Sequence, residues 1–324
     1  MSDKKQILVS GIKPTGRPHI GNYFGALKKW VELQDKYQSY IFIPNYHALT
    51  TVQNKKELEQ STLNVAIDLL AIGIDPEKTI LFKQSDVPEV TELAWILNCL
   101  TTMPYLMRAH AFKDAEAKNK DINVGTFDYP MLMAADILIY EADIVPVGKD
   151  QKQHVEMARD TAEKFNRVFN SDTFKLPREY IQEEVAVVPG IDGQKMSKSY
   201  NNTISLFADD SEIKSQVMRI TTDSKGGEEP KNPEECNIFA LHKLFSQNEL
   251  PEIKKRYVEG RIGYQESKEI LLKNIIFFIK PLRSERNKLA QNPKQVLKIL
   301  ESGGIKARQK AQAKINQIRS VVGL

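Results

Sequence analysis

The sequence predicts an α/β protein, a doubly wound parallel sheet with a smaller all-helical domain after it. Short apolar runs alternate with amphipathic stretches through the first half of the chain, and after Ser199 the apolar spacing becomes purely helical. The length, 324 residues with 41% hydrophobic side chains, is ample for a core in the larger of two domains.

Taken in order, Ile7–Val9 reads as the first strand and runs into a turn-rich stretch, Gly11-Ile12-Lys13-Pro14-Thr15-Gly16. Ile20, Tyr23, Phe24, Leu27 and Val31 then follow at helical spacing. Tyr40–Ile43 is a second strand, Leu58–Ile72 a helix and Thr79–Phe82 a third strand; Pro130–Tyr140 reads as helix, Ile144–Val147 as extended and Asp150–Phe169 as helix. This succession of βαβ units, a Rossmann-like pattern, runs to about Val188, and in such sheets ligands sit beyond the C-terminal ends of the strands. Helical spacing then continues through Phe207, Ile213, Val217 and Ile220, through Ile238, Leu241, Leu244 and Phe245, and from Ile270 to Ile279. Thr221–Pro233, rich in Gly, Asp, Glu and Lys, is a surface loop by composition. The expected division is an α/β domain over residues 1–205 and a helical domain over 206–324.

Composition excludes several classes. Only Cys99 and Cys236 are present, too few for a disulfide framework or for a cysteine-built zinc or iron–sulfur site. There is no run of about 18 apolar residues to span a bilayer. The opening Met1-Ser2-Asp3-Lys4-Lys5-Gln6 lacks the apolar stretch of a secretory leader, so a cytoplasmic protein with no membrane attachment is expected. The net charge of +4 permits a polyanionic partner without demanding one. From Lys288 onward, Lys288, Lys294, Lys298, Lys306, Arg308, Lys310, Lys314 and Arg319 stand against Glu301 alone, which reads either as footing for nucleic acid or as a solvated helix face.

Two motifs carry chemistry. Lys195-Met196-Ser197-Lys198-Ser199 sets two lysines and two hydroxyls in a loop opened by Gly190-Ile191-Asp192-Gly193, suited to closing on a polyphosphate. Five fixed residues arise by chance in about one chain in ten thousand of this length. Far upstream, His19-Ile20-Gly21-Asn22 follows a strand and a loop and opens a helix, the geometry that binds phosphate. Taken singly, a histidine there is more often a cap, and lysines in a glycine-rich loop are more often solvated charge. The dinucleotide turn Gly-x-Gly-x-x-Gly is absent, as is the P-loop Gly-x-x-x-x-Gly-Lys-Ser/Thr. What remains is nucleotidyl transfer, in which a carboxylate attacks the α-phosphate of ATP and pyrophosphate leaves, the protein supplying charge and position.

Five blocks in order, Ser10–Gly16, His19–Tyr23, Tyr129-Pro130 with Met133–Leu138, Val145–His154 and Lys195–Ser199, resemble the class I aminoacyl-tRNA synthetases, and within them the bacterial tryptophanyl type. The resemblance covers most of the first 200 or so residues, and it implies roles. His19 and Asn22 would bond the triphosphate, Gly21 would let adenine lie against the backbone, and Lys195 and Lys198 would neutralise pyrophosphate in the transition state. Lys13, Pro14, Thr15, Met196, Ser197 and Ser199 complete the ATP contacts; Gly148, Lys149 and Asp150 fall where the family grips the ribose, and Val187 backs the adenine. Asp136 would accept the indole N–H, a donor with no acceptor capacity, and Met133 would lay its thioether on the ring. Tyr129 and Gln151 would hold the α-amino and carboxylate groups, with Val9 lining the pocket and His47 near the substrate. Read without the resemblance, Asp136 is a cap or ion-pair partner on an ordinary buried helix face.

The implied reaction has two steps. L-tryptophan and ATP with Mg2+ give tryptophanyl-adenylate and pyrophosphate, and a ribose hydroxyl at the 3′ end of tRNA(Trp) then takes the aminoacyl group. The resemblance further implies that the helical domain recognises the anticodon and that its terminal helix packs back on the first domain. It also implies a homodimer through the insertion at about residues 88–128, where Trp95, Ile96, Leu97 and Leu100 form an apolar stripe that could equally be core. The chain departs from the commonest pattern at Lys13, where glutamine is frequent, at Lys149, where glutamate is frequent, and at Ala115, where a basic residue often stands. Lys13 is read as supplying the phosphate interaction that an alanine at 115 cannot make. The rival readings are a tyrosyl enzyme, a small-molecule adenylyltransferase and a catalytically silent tRNA-binding relative.

Overall fold

The computed structural model describes residues 5–117, 122–148, 151–180 and 188–324, with the side chains of Ala111, Asp114 and Ala115 outside the description. Five parallel strands form one sheet in the order β3-β2-β1-β4-β5: β1 Ile7–Gly11, β2 Gln38–Ile43, β3 Thr79–Lys83, β4 Ile144–Pro146 and β5 Arg178–Tyr180. Val9 lies opposite Tyr40, and Tyr40 opposite Ile80. The order turns back between β1 and β4, so the crevice above their C-terminal ends is the switch point where open α/β sheets bind ligands. β1 and β2 are buried almost throughout, which explains their unbroken apolar runs. β5 was not expected, because Arg178-Glu179-Tyr180 has no apolar run to mark it.

The chain divides into two compact units that do not follow the expected boundary at 205. The first takes the described residues within Met1–Gly16, Trp30–Glu183 and Asn292–Leu324; the second takes Arg17–Lys29 and those within Glu184–Gln291.

In the first unit the helices Glu89–Leu100, Val124–Leu138 and Lys152–Val168 pack together on the sheet's aromatic centre, where Tyr40 stacks on Tyr140 at 4.8 Å and Phe82 meets Tyr140 edge-on at 5.7 Å. The middle helix starts at Val124, six residues before the expected Pro130, because Asn123 caps it by accepting from Thr126 N at 2.8 Å; Pro130 sits inside it without an N–H to give. The expected apolar stripe divides: Ile96 and Leu97 are core, while Trp95 is 71% exposed.

The helix Pro293–Val322 belongs to this unit and buries Val296, Leu300, Ala307, Ala311, Ile315 and Ile318 along one face. Gly303 lies so close to β3 that any side chain there would strike the Leu81 carbonyl. Four of its cations pair with carboxylates of the same unit. Arg308 pairs with Glu89 at 2.8 Å and Arg319 with Glu92 at 2.6 Å, while Lys310 and Lys314 share Glu141. Lys314, 4% exposed, also donates to the Thr173 carbonyl and to Gln317 Oε1 at 3.1 Å. Four of the eight terminal cations thus bind the unit's own carboxylates and carbonyls, which replaces both readings of the basic end for them.

The second unit is built on the helices Asp210–Met218, Asn237–Phe245, Leu250–Val258 and Tyr264–Gln291. Tyr23 and Phe24 join Phe245 and Phe278 in an aromatic cluster with ring centres 5.2–5.7 Å apart, which explains why Arg17–Lys29 belongs here. Its core holds a polar chain: His242 reaches Ser246 Oγ at 2.7 Å and Ser267 Oγ at 3.1 Å, and Ser267 meets the Tyr257 hydroxyl at 2.6 Å. The loop expected over Thr221–Pro233 is mostly exposed, yet its Lys231 is buried and caps the carbonyls of Gly226, Gly227 and Glu229 at 2.7–3.1 Å. No helix among the described residues is long and apolar enough to cross a membrane.

Candidate active site

In the second unit the two motifs are neighbours. Ile20 N donates to Ile204 O at 3.0 Å, Leu206 N donates to Pro18 O at 3.0 Å, and His19 bridges Ser205, so the histidine segment pairs with the strand-like exit of the lysine loop. His19 caps the helix it opens: Asn22 N donates to its Nδ1 at 3.2 Å, and its own N–H donates to Asn22 Oδ1 at 3.1 Å. This reciprocal cap uses one acceptor from each side chain. With Nδ1 accepting, the ring proton of neutral His19 belongs on Nε2, so what His19 and Asn22 have left to offer is N–H. Burial and the positive charge of Lys198 push the His19 imidazole down to about 4, so it is neutral near pH 7. Gly21 has no room for a side chain: a Cβ there would stand 2.9 Å from His19 Nδ1 and 3.2 Å from Met196 Cβ.

The lysine loop is framed by backbone and by one buried amide. Met196 N donates to Val188 O at 3.0 Å and Gly190 N to Gln194 O at 2.7 Å. Asn202, 1% exposed, accepts from Ser197 N at 2.7 Å and donates to Asp192 Oδ1 at 2.8 Å and Lys195 O at 3.1 Å. Ser197 caps the short turn Lys198–Tyr200, and Ser199 N reaches its Oγ at 3.4 Å. Met196 is buried, whereas Lys195, Lys198 and Ser199 are exposed. Asn202 was missed in sequence; only its place beside another asparagine, just past the pentapeptide, could have pointed to it.

In the first unit Asp136 lies 2% exposed in a helix segment buried all round, with Ala134, Ala135, Ile137 and Leu138 as its neighbours in sequence. His47 Nε2 stands 2.9 Å from its Oδ2, and Gln84 Nε2 donates to Oδ1 at 3.0 Å and Oδ2 at 2.8 Å. Burial pushes the Asp136 carboxyl up, and the bonds from His47 and Gln84 work against that. Gln84 was also missed; the polar run Lys83-Gln84-Ser85-Asp86 at the C-terminal end of a buried strand was the available signal. Val9 is buried in β1 and Met133 half-buried against the core. The Tyr129 hydroxyl meets His154 Nε2 at 2.7 Å, and the Tyr129 ring stands edge-on to His47 at 6.0 Å. Lys13 Nζ lies 5.8 Å from the centre of the Tyr129 ring, and burial pushes its ammonium down. Pro14 is buried, and Thr15 N donates to Lys13 O at 2.8 Å. Gln151 stands half-buried at the N-cap of the helix Lys152–Val168, its N–H on the carbonyl of exposed Gly148 at 2.9 Å. Lys149, Asp150, Val187 and the Ala115 side chain lie outside the described residues.

Residues 1–279 match the family described as tRNA synthetases class I (W and Y). The chain is 48% identical over 317 residues to the tryptophan–tRNA ligase of Fusobacterium nucleatum, covering 98% of this chain and 97% of the relative. A crystal structure of tryptophanyl-tRNA synthetase from Campylobacter jejuni, complexed with ADP and tryptophan, superposes with a TM-score of 0.93 at 46% identity, covering 98% of this chain and all of that one. The enzyme from Mycoplasma pneumoniae superposes at 0.86 with 27% identity, covering 99% and 98%.

Proposed function

The chain belongs to the class I tRNA synthetases of the tryptophan and tyrosine family and is a tryptophan–tRNA ligase, and from that premise we propose how its residues divide the reaction. The enzyme activates L-tryptophan with ATP, releasing pyrophosphate, and transfers the aminoacyl group to tRNA(Trp).

In the proposed division, the second unit handles the leaving group. His19 Nε2–H and the Asn22 amide donate to the triphosphate, and Lys195 and Lys198 take up the charge that grows on pyrophosphate as the tryptophan carboxylate attacks the α-phosphorus. Met196, Ser197 and Ser199 hold the nucleotide through the loop backbone and hydroxyls. Gly21 keeps the His19 ring and Met196 close together. The first unit handles tryptophan. Asp136 accepts the indole N–H, Met133 and Val9 pack on the ring, Tyr129 and Gln151 take the α-amino and carboxylate groups, and His47 steadies Asp136. Lys13, with Pro14 and Thr15, reaches the phosphates, and Gly148, Lys149, Asp150 and Val187 take the nucleoside.

ATP enters as its Mg2+ complex. In this reading the ion travels on the phosphate oxygens, as Mg2+ commonly does. The helices of the second unit read the anticodon, a second copy docks through residues 88–128 where Trp95 is exposed, and the enzyme works in the cytoplasm.

The observation that carries this reading is the Asp136 carboxylate, buried in an apolar helix segment beside a half-buried thioether. ATP–pyrophosphate exchange with each of the 20 amino acids, repeated on Asp136→Ala, tests it. Tryptophan alone should drive exchange in the parent, and the variant should lose about 10- to 100-fold of its preference for tryptophan over tyrosine. An unchanged preference sinks the assignment of Asp136.

A further inference from the structure

We propose that Gln84 is a positioning residue for tryptophan recognition, holding the Asp136 carboxylate in one orientation as the acceptor for the indole N–H. It rests on the assignment of Asp136 to the indole. Gln84 is 1% exposed, in the turn that follows β3. The two ends of its amide are used in opposite senses. Oε1 accepts from the backbone N–H of Tyr46 at 3.0 Å and of His47 at 3.3 Å, which fixes the amide's direction and turns Nε2 onto both Asp136 oxygens. The turn itself is stapled: Asn45 Nδ2 donates to Ser85 Oγ at 2.8 Å, and Ser85 N donates back to Asn45 Oδ1 at 3.0 Å. On the other side, Gly304 of the terminal helix lies where a Cβ would stand 2.7 Å from Asp86 Cβ. Gln84 therefore cannot follow Asp136 if the carboxylate swings, so it sets where the carboxylate points.

An ionised carboxylate has about four lone-pair sites. Gln84 and His47 take three of those sites, two on Oδ2 and one on Oδ1, which leaves Oδ1 capacity for one more donor. The titratable groups around Asp136 are His47 and, two residues past the end of its helix, Tyr140, whose hydroxyl is pushed up by burial and then by the charges of Asp136, Tyr40 and Glu89. Tyr129 and His154 stand beyond His47 and bond to each other. Glutamate at position 84 keeps the shape and reverses the chemistry: it sets one carboxylate against another, and the geometry survives only while a shared proton bridges the two.

The test is ATP–pyrophosphate exchange on the full chain between pH 6 and 8.5, with L-tryptophan and with β-(3-benzothienyl)alanine, which carries sulfur in place of the indole N–H. The ratio of their kcat/KM values reads that one hydrogen bond. In the parent it should be high and flat with pH. In Gln84→Glu it should fall about 10- to 100-fold at pH 8.5 and recover toward pH 6, through the KM of tryptophan and with the KM of ATP unchanged. A role confined to stability would not create that pH profile. Gln84→Asn, too short to reach both the Tyr46–His47 amides and Asp136, should lose the ratio at every pH; if Gln84→Glu does not fold, this variant decides alone. A ratio kept in the Gln84 variants but lost in Asp136→Ala overturns the proposal and leaves the Asp136 assignment standing. A ratio kept in Asp136→Ala, which has no acceptor, removes the premise as well.

Discussion

The lysine loop and the proposed tryptophan pocket use charge in opposite ways. Around residues 188–206 the frame is backbone plus the buried Asn202 amide, and the cationic ends of Lys195 and Lys198 are left exposed. Around Asp136 the charge itself is buried, and its partners His47 and Gln84 are buried with it. On the proposed roles, a group that neutralises a departing pyrophosphate is desolvated only when the ligand is there, so the resting fold carries no cost for it. A group that must tell one amino acid from another stays out of water and has to be held by the fold throughout.

If that contrast is right, neutralising the exposed lysines costs rate and not stability. Lys195→Ala and Lys198→Ala should each lower the exchange rate about 10²- to 10³-fold. Their urea midpoints should stay within about 0.5 kcal/mol of the parent. A comparable loss of stability would mean that the loop cations are structural.

Buried charge should behave the other way. Lys314→Ala leaves Glu141 short of one of its two cations and uncaps the Thr173 carbonyl, and should cost about 3 kcal/mol in chemical denaturation with little change in the KM of tryptophan. An intermediate case is His242, fully buried, whose imidazole burial holds down at about 4. Its ordinary value is about 6.5, so between those two pH values the unfolded chain takes up a proton that the fold refuses, and stability falls as pH drops from 6.5 to 4. His19 is lowered to about 4 as well and adds in the same direction. Denaturation midpoints across that range should show the slope, and His242→Gln should flatten it by an amount on the order of 2 kcal/mol. Smallest is Lys13→Gln. If Lys13 supplies the phosphate interaction that Ala115 cannot make, the KM of ATP should rise severalfold, on the scale of one partly screened ionic hydrogen bond; an unchanged KM and exchange rate would end that idea.

How much of this was legible in the sequence follows from the same contrast. Four of the five strands were readable because each is buried and its apolar run is unbroken, whereas β5 has no such run and is a strand only because β4 offers it an edge. The two motifs proposed to bind phosphate stood out as motifs because backbone geometry needs neighbours in sequence. Asn202 and Gln84 were not, since a buried amide is recruited by whatever unpaired group the fold brings to it, and no spacing encodes that. The membership of Arg17–Lys29 escaped the sequence for a similar reason. Arg17–Lys29 joins the second unit through Tyr23 and Phe24 packing on Phe245 and Phe278, more than 200 residues away. The terminal cations looked like a free surface because their carboxylate partners, Glu89, Glu92 and Glu141, lie far back in the chain.

The central claim is that charge for the leaving group and recognition of the amino acid are assigned to different residues. The most direct test is the equilibrium dissociation constant of L-tryptophan for the Lys195→Ala/Lys198→Ala double variant, measured without ATP by calorimetry. The account predicts a value within about twofold of the parent, a difference under about 0.4 kcal/mol. A tenfold weaker constant would contradict it, because the lysine loop would then be part of the tryptophan site.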